Sequence, residues 1–197
     1  MPSINAQFAH PNGFWGLLAG MIMAYENRER IAWAVSQLDP QPGERILEIG
    51  FGAGVAIRRL SKVISDGWVA GVDSSAVMVR LASRQNKAAI REGRVVLRQA
   101  PAEALPYSDG FFDKVMAINS FHIWVDPAAG LSQIRRVLKN GGVIAIVEQP
   151  IASVSAEEAE AISNKLCHQI RAAGFVHAHA SSKPMRTAPT ICVMAEK

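Results

Sequence analysis

The apolar positions of the chain fall into two alternating patterns from residue 45 onward. Short runs rich in Val, Ile and Leu, without polar alternation, predict strands that are covered on both faces. Longer stretches with apolar residues three and four positions apart predict helices between them. The predicted strands are Arg45–Ile49, Trp68–Val72, Arg94–Arg98, Lys114–Ile118, Val143–Glu148, Phe175–Ala180 and Thr190–Ala195, and the predicted helices are Val55–Ser65, Ser75–Glu92, Pro127–Lys139 and Ala156–Ala173.

This order of elements predicts an α/β fold with a mostly parallel sheet and right-handed crossovers. The last two strands have no obvious helix between them, so we expect them to pair antiparallel. One helix has clear boundary signals, because Asp126 can cap it and Pro127 suits its first position, while Asn140-Gly141-Gly142 is expected to end it.

A further helix is predicted before the sheet. Its apolar residues recur at helical spacing, and they are Phe14, Leu17, Leu18, Met21, Ile22 and Tyr25. We expect this helix to pack on the core, with a lid over the ligand site and contact with a membrane surface as alternatives. The predicted organisation is a single domain, with residues 1–40 as a helical lid segment and residues 43–197 as the core.

Composition limits the function classes. The 197 residues are 49% hydrophobic and 19% charged, which is typical of a soluble globular domain. A net charge of +4, spread along the chain, does not favour nucleic-acid binding. Cys167 and Cys192 lie far apart and favour a reducing, cytoplasmic setting. The apolar stretch Gly16–Ala24 is shorter than the ~20 residues of a membrane span, and Arg28 is the first basic residue, so we expect no signal peptide and no transmembrane segment.

The stretch Leu47–Val55, LEIGFGAGV, is the strongest local signal of a nucleotide site. A dinucleotide fingerprint needs Gly or Ala at its last position, where this chain has Val55. The pattern is instead E-x-G-x-G-x-G from Glu48, which weakens the dinucleotide interpretation. Asp73 ends the second strand about 20 residues later, at the offset where a carboxylate meets ribose hydroxyls. Asp73 as a helix cap is the alternative.

The ordered motifs LEIGFGAG, GVD, AEALPY, FDKV, FHIW and RVLKNGG resemble class I S-adenosylmethionine-dependent methyltransferases, specifically the type 11 small-molecule group. The resemblance covers the chain from Gly43 onward. It implies a Rossmann-like seven-stranded, mostly parallel sheet with the last strand antiparallel, helices on both faces and an extra N-terminal helix. It also implies S-adenosylmethionine as the cofactor, bound across the strand ends.

The resemblance assigns cofactor contacts residue by residue. Glu48 and the turn glycines would hold the methionine portion, Asp73 the ribose, and Asn119 would lie near the sulfonium. The full implied set is Glu48, Gly50, Gly52, Gly54, Asp73, Ser74, Met78, Ala102, Glu103 and Asn119. The chain departs from the family pattern at Pro101, where the family often has an Asp that accepts from the adenine, and at Ile123, where it has a second His.

Methyl transfer requires alignment of the acceptor and exclusion of water, and a general base only if the acceptor must lose a proton. His122 is the candidate base, with packing in the pocket wall as the alternative. The candidate acceptor pocket consists of Trp15, Tyr25, Phe121, Trp124 and Glu148. His177 and His179 alternate in a predicted strand and would share one face, but no third metal ligand is nearby, so no metal site is expected.

The leading hypothesis is methyl transfer to a small-molecule acceptor, with the O, N or C atom open. A phospholipid headgroup amine methyltransferase and a non-catalytic cofactor-binding protein are the alternatives, and a nicotinamide oxidoreductase is disfavoured by Val55. The expected partners exclude nucleic acid. The oligomeric state is left open, with a homodimer as one option.

Overall fold

A computed structural model describes residues 28–150, 154–185 and 188–197. The predicted helix at residues 14–25, with Trp15 and Tyr25, lies outside these ranges. The helices are α1 (Arg28–Leu38), α2 (Val55–Val63), α3 (Ala76–Gln85), α4 (Lys87–Arg91), α5 (Pro127–Val137) and α6 (Ala156–Ala172), with a 3₁₀ turn at Phe121–Ile123. The strands are β1 (Arg45–Ile49), β2 (Trp68–Asp73), β3 (Val95–Gln99), β4 (Phe112–Ile118), β5 (Leu138–Glu148), β6 (Val176–Lys183) and β7 (Thr190–Glu196).

The seven strands form one sheet in the order β3-β2-β1-β4-β5-β7-β6. Pairing from β3 to β5 is parallel, and β7 runs antiparallel to both β5 and β6. The predicted fold class is therefore confirmed. The strand order reverses between β1 and β4, and in open α/β sheets ligands bind beyond the carboxyl ends of the strands at such a point.

Each face of the sheet has its own core. Alternate residues of one strand point to opposite faces, so Ile46 joins one core and Leu47 the other. Residues of α1, α2, α3 and α4 pack with Ile46, and residues of α5 and α6 pack with Leu47. Because the central strands are buried on both faces, their sequences are continuous apolar runs.

An aromatic cluster packs at the amino ends of the strands, on the opposite side of the sheet from the carboxyl ends where ligands bind. Phe112 is fully buried there and stacks at 6.2 Å on Trp68. Tyr107 and Phe111 contact Phe112 edge-on, and the guanidinium of Arg45 lies 4.7 Å from the Phe111 ring. The cluster supplies packing that the strand ends otherwise lack.

The predicted end of one helix is wrong. Asp126 and Pro127 begin α5 as predicted, and Oδ1 of Asp126 accepts from the Ala129 N–H at 3.0 Å. The helix ends at Val137, however, and not at Asn140-Gly141-Gly142. Leu138 is already extended, because it is buried in β5 opposite Phe112. The Phe111 N–H donates a hydrogen bond to the carbonyl of Val137, which also favours the strand.

The helix predicted over Ser75–Glu92 is two helices separated by Asn86. The Asn86 side chain is buried and donates from Nδ2 to the carbonyls of Gly54 and Ala82, at 3.1 and 2.9 Å. A side chain that bonds backbone groups outside the helix competes with the helical ladder. The interruption therefore fixes α3 against the glycine turn.

Strand β6 is irregular at its beginning. His177 has a φ of +54°, and the register with β7 shifts between Val176 and His179. The prediction that His177 and His179 share one face assumed strict alternation, which a bulge interrupts. Both histidines are exposed.

Candidate active site

The carboxyl ends of five strands meet at one edge of the sheet and are joined by backbone hydrogen bonds. The Gly50 N–H donates to the carbonyl of Val72, and the Ala100 N–H to that of Asp73. On the other side of the switch point, the Asn119 N–H donates to the carbonyl of Val147. The loops after β1, β2, β3, β4 and β5 therefore form one continuous surface.

Asp73 lies at the centre of this surface. Its Oδ2 accepts from the Gly52 N–H and its Oδ1 from the Ser75 N–H, both at 2.9 Å. Burial raises the pKa of the carboxyl above its ordinary value, although these two N–H groups oppose the shift. The cap of α3 is the Ser75 side chain, which accepts from the Met78 N–H, so Asp73 is not the helix cap. Each Asp73 oxygen retains lone-pair capacity for a hydroxyl.

Glu48 lies behind the glycine turn and is almost completely buried. The cap position of α2 is Gly54, which has no side chain to offer, and the Ile57 N–H at this helix end opposes the rise in the pKa of the Glu48 carboxyl. Its Oε2 is buried without a partner among the described residues. Burial, with a smaller contribution from the charge of Asp73, raises the pKa of Glu48 to about 8.

The three glycines of the turn all have left-handed φ angles, but their surroundings differ. A Cβ on Gly50 would lie 2.4 Å from the Ser120 Cβ, and a Cβ on Gly54 would lie 2.6 Å from the Ala82 Cβ. A Cβ on Gly52 would meet nothing within 4 Å among the residues that the structure describes. Gly50 and Gly54 therefore allow the turn to pack on the protein, whereas Gly52 faces open space where a ligand has room.

Further residues of the implied cofactor set, which are Ser74, Met78, Ala102 and Glu103, are positioned by different elements. Ser74 is exposed, and its carbonyl accepts from the Gln99 side chain. Met78 is buried in a small cluster with Ala53, Val77 and Leu81 beside the glycine turn. After β3, Ala102 is buried, and Glu103 accepts at Oε1 from the Asp126 N–H at 3.0 Å.

On the other side of the switch point, Asn119 has a φ of +49° immediately after β4. Its Oδ1 accepts from the Gln149 N–H at 2.8 Å. The next residue, Ser120, is buried and donates to the carbonyl of Ile49 at 2.8 Å. Gln149 also receives a hydrogen bond from the buried Arg30 of α1. These bonds connect β1, β4, β5 and α1 at the site.

His122 and Glu148, predicted separately, are brought together. The Nδ1 atom of His122 lies 2.6 Å from Oε2 of Glu148, and Oε1 of Glu148 accepts from the Phe121 N–H at 2.9 Å. The His122 side chain is 46% exposed and the Glu148 side chain 13%. The hydrogen bond to Glu148 is the main cause that raises the pKa of His122, and burial opposes it.

Phe121 and Trp124, the described aromatic residues of the predicted pocket, form a pair with ring centroids 4.9 Å apart. Trp124 packs on α5 at Gly130, where an added Cβ would lie 2.6 Å from the indole. The neighbouring Ile123 is 37% exposed and Val125 is 94% exposed. The aromatic pair is therefore partly core, with an apolar rim beside it.

Three positioning residues were not predicted from the sequence: Asn86, Ser120 and Gln149. Ser120 and Gln149 directly follow residues that were predicted, Asn119 and Glu148. A polar residue directly after a predicted site residue was the available signal. Asn86 had no such signal, because its partner Gly54 is 32 positions away.

A metal centre and a membrane span are both absent from the described ranges. No group of three or more His, Cys, Asp or Glu side chains could hold a metal ion there. Within those same ranges, every helix is too short or too polar to cross a membrane.

The hydrogen-bond acceptors at the strand ends fit S-adenosylmethionine. The unpartnered buried oxygen of Glu48 can accept from an ammonium group, and both oxygens of Asp73 can accept from ribose hydroxyls. Gly52 leaves room for close approach of a ligand to the backbone. These three features are the ones that a cationic nucleoside ligand requires.

The sequence profile described as "Methyltransferase domain" matches residues 47–146. A relative in Bacillus subtilis, the uncharacterized methyltransferase YdaC, is 35% identical over 182 residues, covering 92% of this chain and 98% of the relative. The chain therefore belongs to this methyltransferase family, and it is a class I S-adenosylmethionine-dependent methyltransferase of type 11, as the motifs predicted.

Two further similarities support the family and the fold. The ubiquinone/menaquinone biosynthesis C-methyltransferase UbiE of Geotalea daltonii is 33% identical over 117 residues, which cover 59% of this chain. The match spans 50% of that relative, so this chain corresponds to about half its length. The crystal structure of a SAM-dependent methyltransferase from Aquifex aeolicus has a TM-score of 0.67 and 20% identity, covering 84% of this chain and 88% of that one.

Proposed function

We propose that this methyltransferase binds S-adenosylmethionine across the ends of β1, β2 and β4 and methylates a small-molecule acceptor. The observation that carries the proposal is the Asp73 carboxylate, which is fixed by the N–H groups of Gly52 and Ser75 and still has lone pairs to offer. The cofactor supplies an electrophilic methyl group on a cationic sulfur.

Each part of the cofactor has a matching group in the chain. Glu48 faces the ammonium group, and the open backbone at Gly52 allows the methionine portion to approach closely. Asp73 accepts from the ribose hydroxyls. Ser74, Met78, Ala102 and Glu103 surround the adenine, and the Asn119 side chain, held by Gln149, lies beside the sulfonium.

The acceptor side is formed by Phe121, Trp124 and Glu148 with His122. Ile123 and Val125 add exposed apolar surface to its rim, which suits an acceptor with an apolar portion. Among the relatives, the ubiquinone/menaquinone biosynthesis C-methyltransferases act in the biosynthesis of small molecules. The proposal also includes a cytoplasmic location and no nucleic-acid partner, and a homodimer is compatible with it.

Calorimetry with S-adenosylmethionine tests the cofactor site. We expect Asp73→Ala to weaken binding about 10- to 100-fold, because hydrogen bonds to a charged group contribute about 1.5–3 kcal/mol. Asp66→Ala, which removes an exposed carboxylate away from the strand ends, is the matched control. Equal affinity of the two variants would contradict the site, and tight binding of NADH would contradict the cofactor.

Methyl transfer itself is measured by incubating the protein with a deuterated methyl donor and a small-molecule extract. Mass spectrometry then detects any labelled product. A labelled small molecule supports the proposal. Label found only on nucleic acid, or cofactor binding without any labelled product, contradicts it.

A further inference from the structure

We infer that His122 and Glu148 form a proton-accepting pair, and that the acceptor is a hydroxyl or an activated carbon that loses its proton during methyl transfer. The inference rests on the proposed function, since it concerns the acceptor side of the same site. It assigns His122 as the base and Glu148 as the positioning residue.

The hydrogen bond to Glu148 fixes the tautomer of the His122 ring. Glu148 is an acceptor when ionised, so the Nδ1 atom at 2.6 Å must donate to it. In the neutral ring the proton then stays on Nδ1, and the Nε2 atom keeps its lone pair. The ring orientation that Glu148 imposes therefore leaves Nε2 as the proton acceptor.

The Glu148 carboxylate is held in place by two hydrogen bonds. Its two oxygens have different partners: Oε2 faces the ring of His122, and Oε1 accepts from the Phe121 N–H at 2.9 Å. Both partners belong to the same 3₁₀ turn after β4, while Glu148 ends β5. Since Asn119 N–H also bonds the carbonyl of Val147, the turn has little freedom to move away from Glu148.

His122 and Glu148 differ in exposure, and Glu148 affects the pKa of His122. The His122 side chain is 46% exposed, so it can meet an incoming acceptor, whereas Glu148 is mostly covered. The hydrogen bond to Glu148, and after it the charge of Glu148, raise the pKa of His122, while the carboxylate of Asp126 is engaged in capping α5. A base of raised pKa takes a proton more readily once it is neutral.

The pair matters for some acceptors and not for others. An amine is nucleophilic when it is neutral, and its ammonium form can lose a proton to water before it binds, so an amine needs no base in the site. A hydroxyl or an activated carbon has to give up its own proton as or after the new bond forms, so a base in the site assists it. In that step the acceptor atom bonds to the methyl carbon, the carbon–sulfur bond breaks with its electron pair staying on sulfur, and the proton passes to Nε2 of His122.

Nuclear magnetic resonance of the ¹⁵N-labelled full chain tests the pair without any acceptor. His122→Gln identifies the His122 signals among the five histidines. We expect the neutral ring to carry its proton on Nδ1 and the pKa of His122 to fall in Glu148→Gln. That variant keeps an acceptor for the Phe121 N–H but removes the charge. A proton on Nε2, or a pKa unchanged by Glu148→Gln, would overturn the inference.

The labelled product of the deuterated-donor assay tests the acceptor class. A methyl group on oxygen or carbon supports the inference, and one on nitrogen overturns it. With that acceptor, His122→Gln should lower kcat about 10²- to 10⁴-fold, and His168→Gln, at an exposed histidine on α6, should not change it. Glu148→Gln should move the acidic limb of the kcat profile to lower pH, because the limb follows the pKa of His122.

Calorimetry separates failure of this inference from failure of the proposed function. Both Glu148→Gln and His122→Gln should bind S-adenosylmethionine as tightly as the unchanged chain. Unchanged binding with an unshifted pH profile refutes the pair alone, whereas absence of binding in the unchanged chain refutes the cofactor site.

Discussion

The contact between Gly50 and Ser120 predicts a specific coupling between two turns of the site. A methyl group added at Gly50 would lie 2.4 Å from the Cβ and 2.7 Å from the Oγ of Ser120. Residue 50 also has a φ of +72°, which costs a non-glycine residue about 1–2 kcal/mol. Overpacking against a fixed side chain adds about 1–3 kcal/mol. Gly50→Ala should therefore lower the free energy of unfolding by about 2–5 kcal/mol.

A double-mutant cycle separates the two contributions. In Ser120→Gly the nearest remaining atom is the Cα of residue 120, at 3.8 Å from the added methyl group. Ser120→Gly alone loses the hydrogen bond to the carbonyl of Ile49, worth about 1 kcal/mol. In that background Gly50→Ala should cost only the backbone penalty of about 1–2 kcal/mol.

Urea unfolding of the four proteins measures the coupling. Gly110→Ala is a further control, because residue 110 has a φ of +61° and open space around it. It should reproduce the backbone penalty without the clash. If Gly50→Ala costs the same with and without Ser120, the contact does not limit the glycine turn and the reasoning is refuted.

Three other perturbations have expected outcomes. Gly52→Ala should cost about 1–2 kcal/mol of stability but weaken S-adenosylmethionine binding in calorimetry more than Gly50→Ala does, because its methyl group enters the open space of the cradle. Folding raises the pKa of Glu48 from 4.5 to about 8, so the folded chain holds this proton more tightly than the unfolded chain. Stability in urea without cofactor should therefore fall as the pH rises through that window, and Glu48→Gln, unlike Glu160→Gln, should remove the fall. Phe112→Ala should lower the free energy of unfolding by about 3–5 kcal/mol, while Val63→Ala, at a half-exposed position, should change it by no more than about 0.5 kcal/mol.

The strands were predictable because burial on both faces leaves a strong pattern in the sequence. β1 begins and ends at the predicted residues, and β2 extends only one residue further. The end of α5 was not predictable in the same way. Gly141 has a φ of +75° and suits a helix end, but the burial of Leu138 opposite Phe112 decides the boundary.

The site was partly predictable for a similar reason. Asp73 and the glycine turn are defined by spacing along the chain, so a motif can indicate them. The pairing of His122 with Glu148 depends on how two neighbouring strands end, 26 positions apart, and no local pattern encodes that. The contact of Ser120 with Gly50 depends on the closeness of two backbones and is equally invisible in the sequence.

The irregular beginning of β6 bears on how copies of the chain associate. β6 lies at the edge of the sheet, and a regular edge strand is a template for pairing with another molecule. The left-handed residue at His177 and the register shift beside it interrupt the row of backbone groups that such pairing requires. Growth of the sheet across this edge into an extended intermolecular assembly is therefore disfavoured, and the chain resists this route to aggregation.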